Sequence, residues 1–195
     1  MRNIINVVLA LLTVFFAYWL YNTIREPIRF AAEKSKRGDA VISKLKDIQS
    51  AEDVYRMVTG KFAGNFDQLK DTINNGNIAL IKLTADPNDP TNQDKFVKSV
   101  TYKSAKDSLR AILMHDVNLD SLKYIPYSDG KTFDIAADTL TYQNTLVQVV
   151  QVGTKWKDFM GEYADPKFKK YDNFYDPEKA LKFGDMNSPN TNGNW

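Results

Sequence analysis

Cysteine is absent from the 195 residues, which excludes disulfides, thiol catalysis and zinc-thiolate sites. The absence suits a bacterial envelope protein that never needed oxidation and suits a cytosolic protein equally, so it leaves the compartment open. Histidine occurs once, as His115 in Leu113-Met114-His115-Asp116. A triad or metal site built on it would need partners that no motif here provides, so it reads as a structural histidine beside a strand. Gly-x-Gly-x-x-Gly, a phosphate-binding Gly-Lys-Ser/Thr, His-Glu-x-x-His and Gly-x-Ser-x-Gly do not occur. Gly60-Lys61-Phe62 is no phosphate loop, because Phe follows the lysine and no earlier glycine has the required spacing. There is no basic tract either. The 26 Lys and Arg are interleaved with 24 Asp and Glu, so no track for nucleic acid exists and no nucleic-acid partner is expected.

Charge is also missing from one long segment. Between Arg2 and Arg25 no residue is charged, and Asn3–Ile24 is almost wholly apolar, with Phe15, Phe16, Tyr18, Trp19 and Tyr21 crowded at its end. At about 1.5 Å per residue, a helix of roughly 20 residues crosses a hydrocarbon core of about 30 Å. A cleaved signal peptide has a shorter apolar core that ends in small residues. Here Trp and Tyr close the run, as they do at a membrane interface. The expectation is a retained membrane helix with the membrane itself as first partner. Asn6 and Thr13 lie near one face of it and are candidate contacts for a neighbouring helix.

Pro27 follows, and a kink or short break is expected there. Val41, Leu45, Ile48, Ala51, Tyr55 and Val58 then recur at helical spacing, with Lys44, Lys46, Asp47, Glu52, Asp53 and Arg56 on the remaining surface. Gly60 is placed to end this helix in a left-handed cap. Asn65 caps a short second helix carrying Phe66, Leu69 and Ile73, which Asn74-Asn75-Gly76 terminates. Residues 86–94 hold two prolines and form a loop. Beyond it Phe96–Lys103 reads as a strand, Ser108–His115 as a continuous apolar run, and Asp129-Gly130 as a hairpin turn. Leu140–Gly153 supplies one or two more strands. From Trp156 the chain is a loop-rich tail pinned by Trp156, Phe159, Tyr163, Phe168, Tyr171, Phe174 and Tyr175. These aromatics could instead stack on a glycan. The fold class is α+β: an anchor over 1–25, a helical spine and short helix over 26–76, an antiparallel sheet region over 77–155, and the tail over 156–195.

Residues 40–74 resemble the spine-to-loop region of type IV pilins, most closely the major pseudopilins of type II secretion. The matching residues are Ala51, Tyr55, Gly60, Lys61, Phe62 and Leu69. The resemblance implies that Tyr55 closes the end of the sheet, Gly60 permits a reversal, Phe62 pins the returning chain and Leu69 seats the second helix. It also implies a C-terminal domain outside the cytoplasm. The positive residues after the apolar run, Arg25, Arg29, Lys34, Lys36 and Arg37, point the other way. The chain lacks the pilin leader glycine and the glutamate near the mature N-terminus that neutralises a neighbour's amine during filament assembly. A second resemblance is to uncharacterised single-pass proteins of Bacteroidetes, through Glu26-Pro27-Ile28, the segment Leu122–Tyr127, and the ending Asn192-Gly193-Asn194-Trp195.

Asp86, Asn88, Asp89, Asn92 and Asp94 form an oxygen-rich loop. Calcium takes such ligands and some major pseudopilins bind it in a loop, but the spacing is not that of an EF-hand and an ordinary solvated turn explains the composition equally well. No other cofactor is expected. The functional expectation is a non-catalytic, single-pass subunit of a bacterial envelope assembly for secretion, motility or transport. It would sit in the inner membrane with its domain in the periplasm and touch other subunits through both the helix and the domain. The alternatives are an accessory or scaffold subunit that never polymerises, and a tethered enzyme or glycan-binding module.

Overall fold

The computed structural model of the chain describes residues 2–85 and 96–195. One helix, α1 (Arg2–Thr59), takes up the first 58 of these residues, a length of about 87 Å at 1.5 Å per residue. The helix runs through Pro27, so the expected break is absent. Proline removes one amide donor, and the long helix on either side continues around that single missing bond. α1 ends where the glycine was placed to end it: Gly60 has φ +78°, and its N–H donates to the Arg56 carbonyl at 2.8 Å. The following helix α2 (Phe66–Asn75) starts at Asn65, whose side chain accepts from the Gln68 N–H at 2.8 Å. It buries Leu69 and Ile73.

Strands β1 (Asn77–Ala85) and β2 (Phe96–Ser104) pair antiparallel from Asn77 opposite Ser104 to Ala85 opposite Phe96. They form a two-stranded sheet of their own. The apolar run after Ser104 is not sheet. It is helix α3 (Ala105–Leu113), capped by the Ser104 hydroxyl and closed by a left-handed Met114. The Ala105 N–H donates to the Gly76 carbonyl at 3.0 Å, which ties α3 to the end of α2. After a small hairpin, bridged at Tyr124 and Thr132 with left-handed Asp129 and Gly130, comes a second sheet. Its order is β3 (Asp134–Tyr142), β4 (Thr145–Lys155), β5 (Ala180–Gly184), all antiparallel. Gln143 and Asn144, both at positive φ, make the tight β3–β4 turn.

The tail departs most from expectation. It folds through 3-10 turns at Trp156–Asp158, Gly161–Ala164 and Pro166–Tyr171 before adding β5 to the sheet. Phe159, Met160, Tyr163, Phe168, Tyr175, Leu181 and Phe183 from this region are buried in the same core as Phe30, Val41, Leu45, Ile48, Ala51 and Val54 of α1. The tail is therefore a substantial part of the core and not only a loop-rich segment pinned to it. Phe174 alone among its expected pins stands in solvent.

Candidate membrane-proximal site

Among the described residues, nothing buries the first third of α1. A window of this helix has mean hydropathy 2.1, and none of it is buried. Ile4, Leu11, Phe15, Trp19 and Ile24 all stand exposed. It is long and apolar enough to cross a membrane. Within it the Thr13 hydroxyl donates to the Leu9 carbonyl at 2.9 Å, so the helix itself satisfies Thr13. Asn6 is exposed.

Burial begins at Phe30, about two turns after the uncharged run. Its ring stacks on Phe168 (centroids 5.4 Å apart) and meets Tyr175 edge-on at 5.0 Å. Tyr163 and Tyr171 complete the cluster. The Tyr175 hydroxyl donates to the Tyr163 carbonyl at 2.7 Å, and burial pushes this phenol up to about 12. Polar contacts fasten the same junction. Tyr171 donates to the Glu26 carboxylate, and Lys170 stands 3.8 Å from it. Lys34 pairs with Asp172, whose carboxyl is held low chiefly by that bond. Arg37 bonds Glu33 at 2.8 Å and the Phe159 carbonyl at 2.9 Å. Gly38 leaves room for Trp156, whose ring would lie 3.1 Å from an added Cβ. The tail therefore clamps α1 over roughly three turns immediately beyond its apolar third.

Two open grooves flank the clamp. One, of about 450 Å³, runs along Pro27, Ala31, Ser35 and Ile42 to Trp156 and contains the Lys34–Asp172 pair. The other, of about 410 Å³, is polar and lies between Asn22, Arg25 and Arg29 of α1 and Glu162 and Lys167 of the tail.

The residues at the distal end that carry the pilin-like resemblance differ in burial. Phe62 and Leu69 are buried, and Tyr55 is half-buried against the core. Glu52 was expected on the polar surface, yet it is 1% exposed. Its Oε2 accepts the Ala63 N–H at 2.9 Å, while Oε1 is buried with no partner among the described residues. Burial pushes its carboxyl up to about 8, against the opposing pull of the Ala63 N–H. His115 lies exposed beyond the end of α3, not beside a strand, with Nε2 3.6 Å from Asp47. Asp86, Asn88, Asp89, Asn92 and Asp94, the calcium candidates, lie outside the described residues. Among the described residues no group of three His, Cys, Asp or Glu is placed to hold a metal. Comparison with known proteins finds no match for this chain among family models, curated proteins or solved structures.

Proposed function

We propose that the protein is a single-pass, membrane-anchored, non-catalytic subunit of a bacterial envelope assembly, built in the manner of a pseudopilin but working as a discrete subunit. One observation carries the reading: a single helix is wholly exposed and apolar through Ile24, then buried in a folded domain from Phe30. Exposed apolar surface on that scale requires a nonaqueous neighbour, and a bilayer fits its length. Because the clamp starts within about two turns of the apolar end, the domain is held close to the membrane surface rather than swung on a linker. The spine, the left-handed Gly60 and the buried Phe62 and Leu69 support the pseudopilin-like construction. The missing glutamate of the pilin membrane helix favours a subunit that sits beside a larger partner. Asn6 marks the face on which that partner is expected; Thr13, bonded within its own helix, adds less.

The domain is proposed to lie in the periplasm. A phosphatase fused after Trp195 should then be active and a cytoplasmic reporter in the same place silent. The reverse pattern would assign the domain to the cytoplasm, as the cluster from Arg25 to Arg37 would have it. Crosslinking from position 6 in intact membranes should trap a hetero-complex of fixed stoichiometry. Helical filaments of this chain alone would overturn the discrete-subunit reading.

A further inference from the structure

We infer that the polar groove between α1 and the tail is a binding site for the phosphate of an anionic phospholipid. The inference rests on the membrane-anchored reading and adds a ligand to it.

The groove's position is the first argument. Arg25 is the first charge after the apolar run, and Arg29 lies one turn further on the same face. The two are separated by about 6 Å along the helix axis. A headgroup layer is about 5–8 Å thick on each side of the hydrocarbon, so both guanidinium groups fall within one such layer. Lys167, on the 3-10 turn Pro166–Tyr171, closes the groove from the other wall.

Charge is the second argument. Among the described residues no carboxylate comes within 4.0 Å of the side-chain nitrogens of Arg25, Arg29 or Lys167, whereas Lys34, Arg37, Lys169 and Lys170 are all paired. The carboxylate at the floor, Glu26, is itself engaged by Tyr171 and Lys170. Glu162 on the tail wall opposes an anion. The neighbouring groove makes the contrast, since its cation Lys34 and its anion Asp172 already satisfy each other. Two arginines can each present paired N–H donors to phosphate oxygens, and Lys167 adds a point charge. Tyr21, under Arg25 with 5.5 Å between guanidinium and ring centroid, provides an aromatic edge at the depth of the acyl-glycerol boundary.

The test uses the full chain in nanodiscs of phosphatidylcholine doped with phosphatidylglycerol. Native mass spectrometry then reads which lipid stays bound on release. Phosphatidylglycerol should be retained in preference. R29Q/K167Q should weaken that preference on the order of 25-fold, from about fivefold for each basic residue at a membrane surface. The off-groove double K36Q/K169Q, which removes the same charge, should leave it unchanged, and E162Q should raise it. Equal losses in both doubles would mean a diffuse surface field and overturn the site. Inorganic phosphate added in excess should not displace the lipid; if it does so completely, the groove is a small-anion site and the inference fails. Should R29Q/K167Q fail to fold, E162Q decides, and unchanged or weaker retention overturns the proposal. A chain that inserts into neutral nanodiscs yet shows no lipid preference defeats the groove alone. A chain that does not insert at all defeats the anchored reading with it.

Discussion

Glu52 is the residue whose environment is least like its type. Val41, Leu45, Ile48, Glu52 and Tyr55 alternate by four and three positions, which is the stripe a helix turns inward. The carboxyl was therefore placed inward by its position while its chemistry argued for solvent. The periodicity through Ala51 and Val58 hid this, because a glutamate was assigned to the polar face by type. Its folded value of about 8 lies above the ordinary 4.5, so the folded chain holds a proton that the unfolded chain releases. Its contribution to stability is full below about pH 4.5 and is lost as pH rises through about 8. Thermal melts of the full chain should show stability falling across that window, and E52Q should flatten the fall. An E52Q profile as steep as the parent's would show that Glu52 is ionised in the fold. Phe30 makes the second residue-scale prediction. With four aromatic neighbours and 1% exposure, Phe30→Ala should lose about 3–5 kcal/mol in denaturant unfolding. Phe62→Ala should fall in the same range, and Tyr55→Ala should lose less because its ring is only partly buried.

At the scale of elements, what was legible followed simple periodicities and caps. The α1 spine, the Gly60 stop and the Asn65 cap rest on local chemistry within a few residues, and each stands where the sequence put it. Helix α3 was missed although Ser104 and Asp107 stand at N-cap spacing, because its apolar run is too short to separate the two periods. β5 was missed for another reason. Its five residues pair with β4, about thirty positions earlier, and bridge to Gly193 through Phe183, and nothing local announces the pairing with β4. The β3–β4 turn was obscured by its residues: Gln143 at φ 47° sits where glycine or asparagine is favoured. Gln143→Gly should relieve that strain and stabilise the hairpin by about 0.5–1 kcal/mol, read as a raised melting temperature. Loss of stability there would mean that the Gln143 side chain contributes more than its backbone costs. In the candidate site, the basic residues of α1 were legible as a cluster. That Lys167 and Glu162 would face them was not, because only the long-range return of the tail brings them together.

Over the whole molecule, one helix joins two environments. Its distal half is the wall on which the tail, α2, α3 and β5 assemble, and its first third is left unburied among the described residues. The clamp around Phe30 fixes the boundary between them; on the anchored reading proposed above, it would hold the domain near the membrane without a linker. The direct measurement is alkaline extraction of membranes from cells making the full chain, followed by intact mass of the recovered protein. The chain should remain in the membrane fraction with the apolar segment attached. Recovery in the soluble fraction, or a mature N-terminus between residues 17 and 30, would contradict the anchored reading.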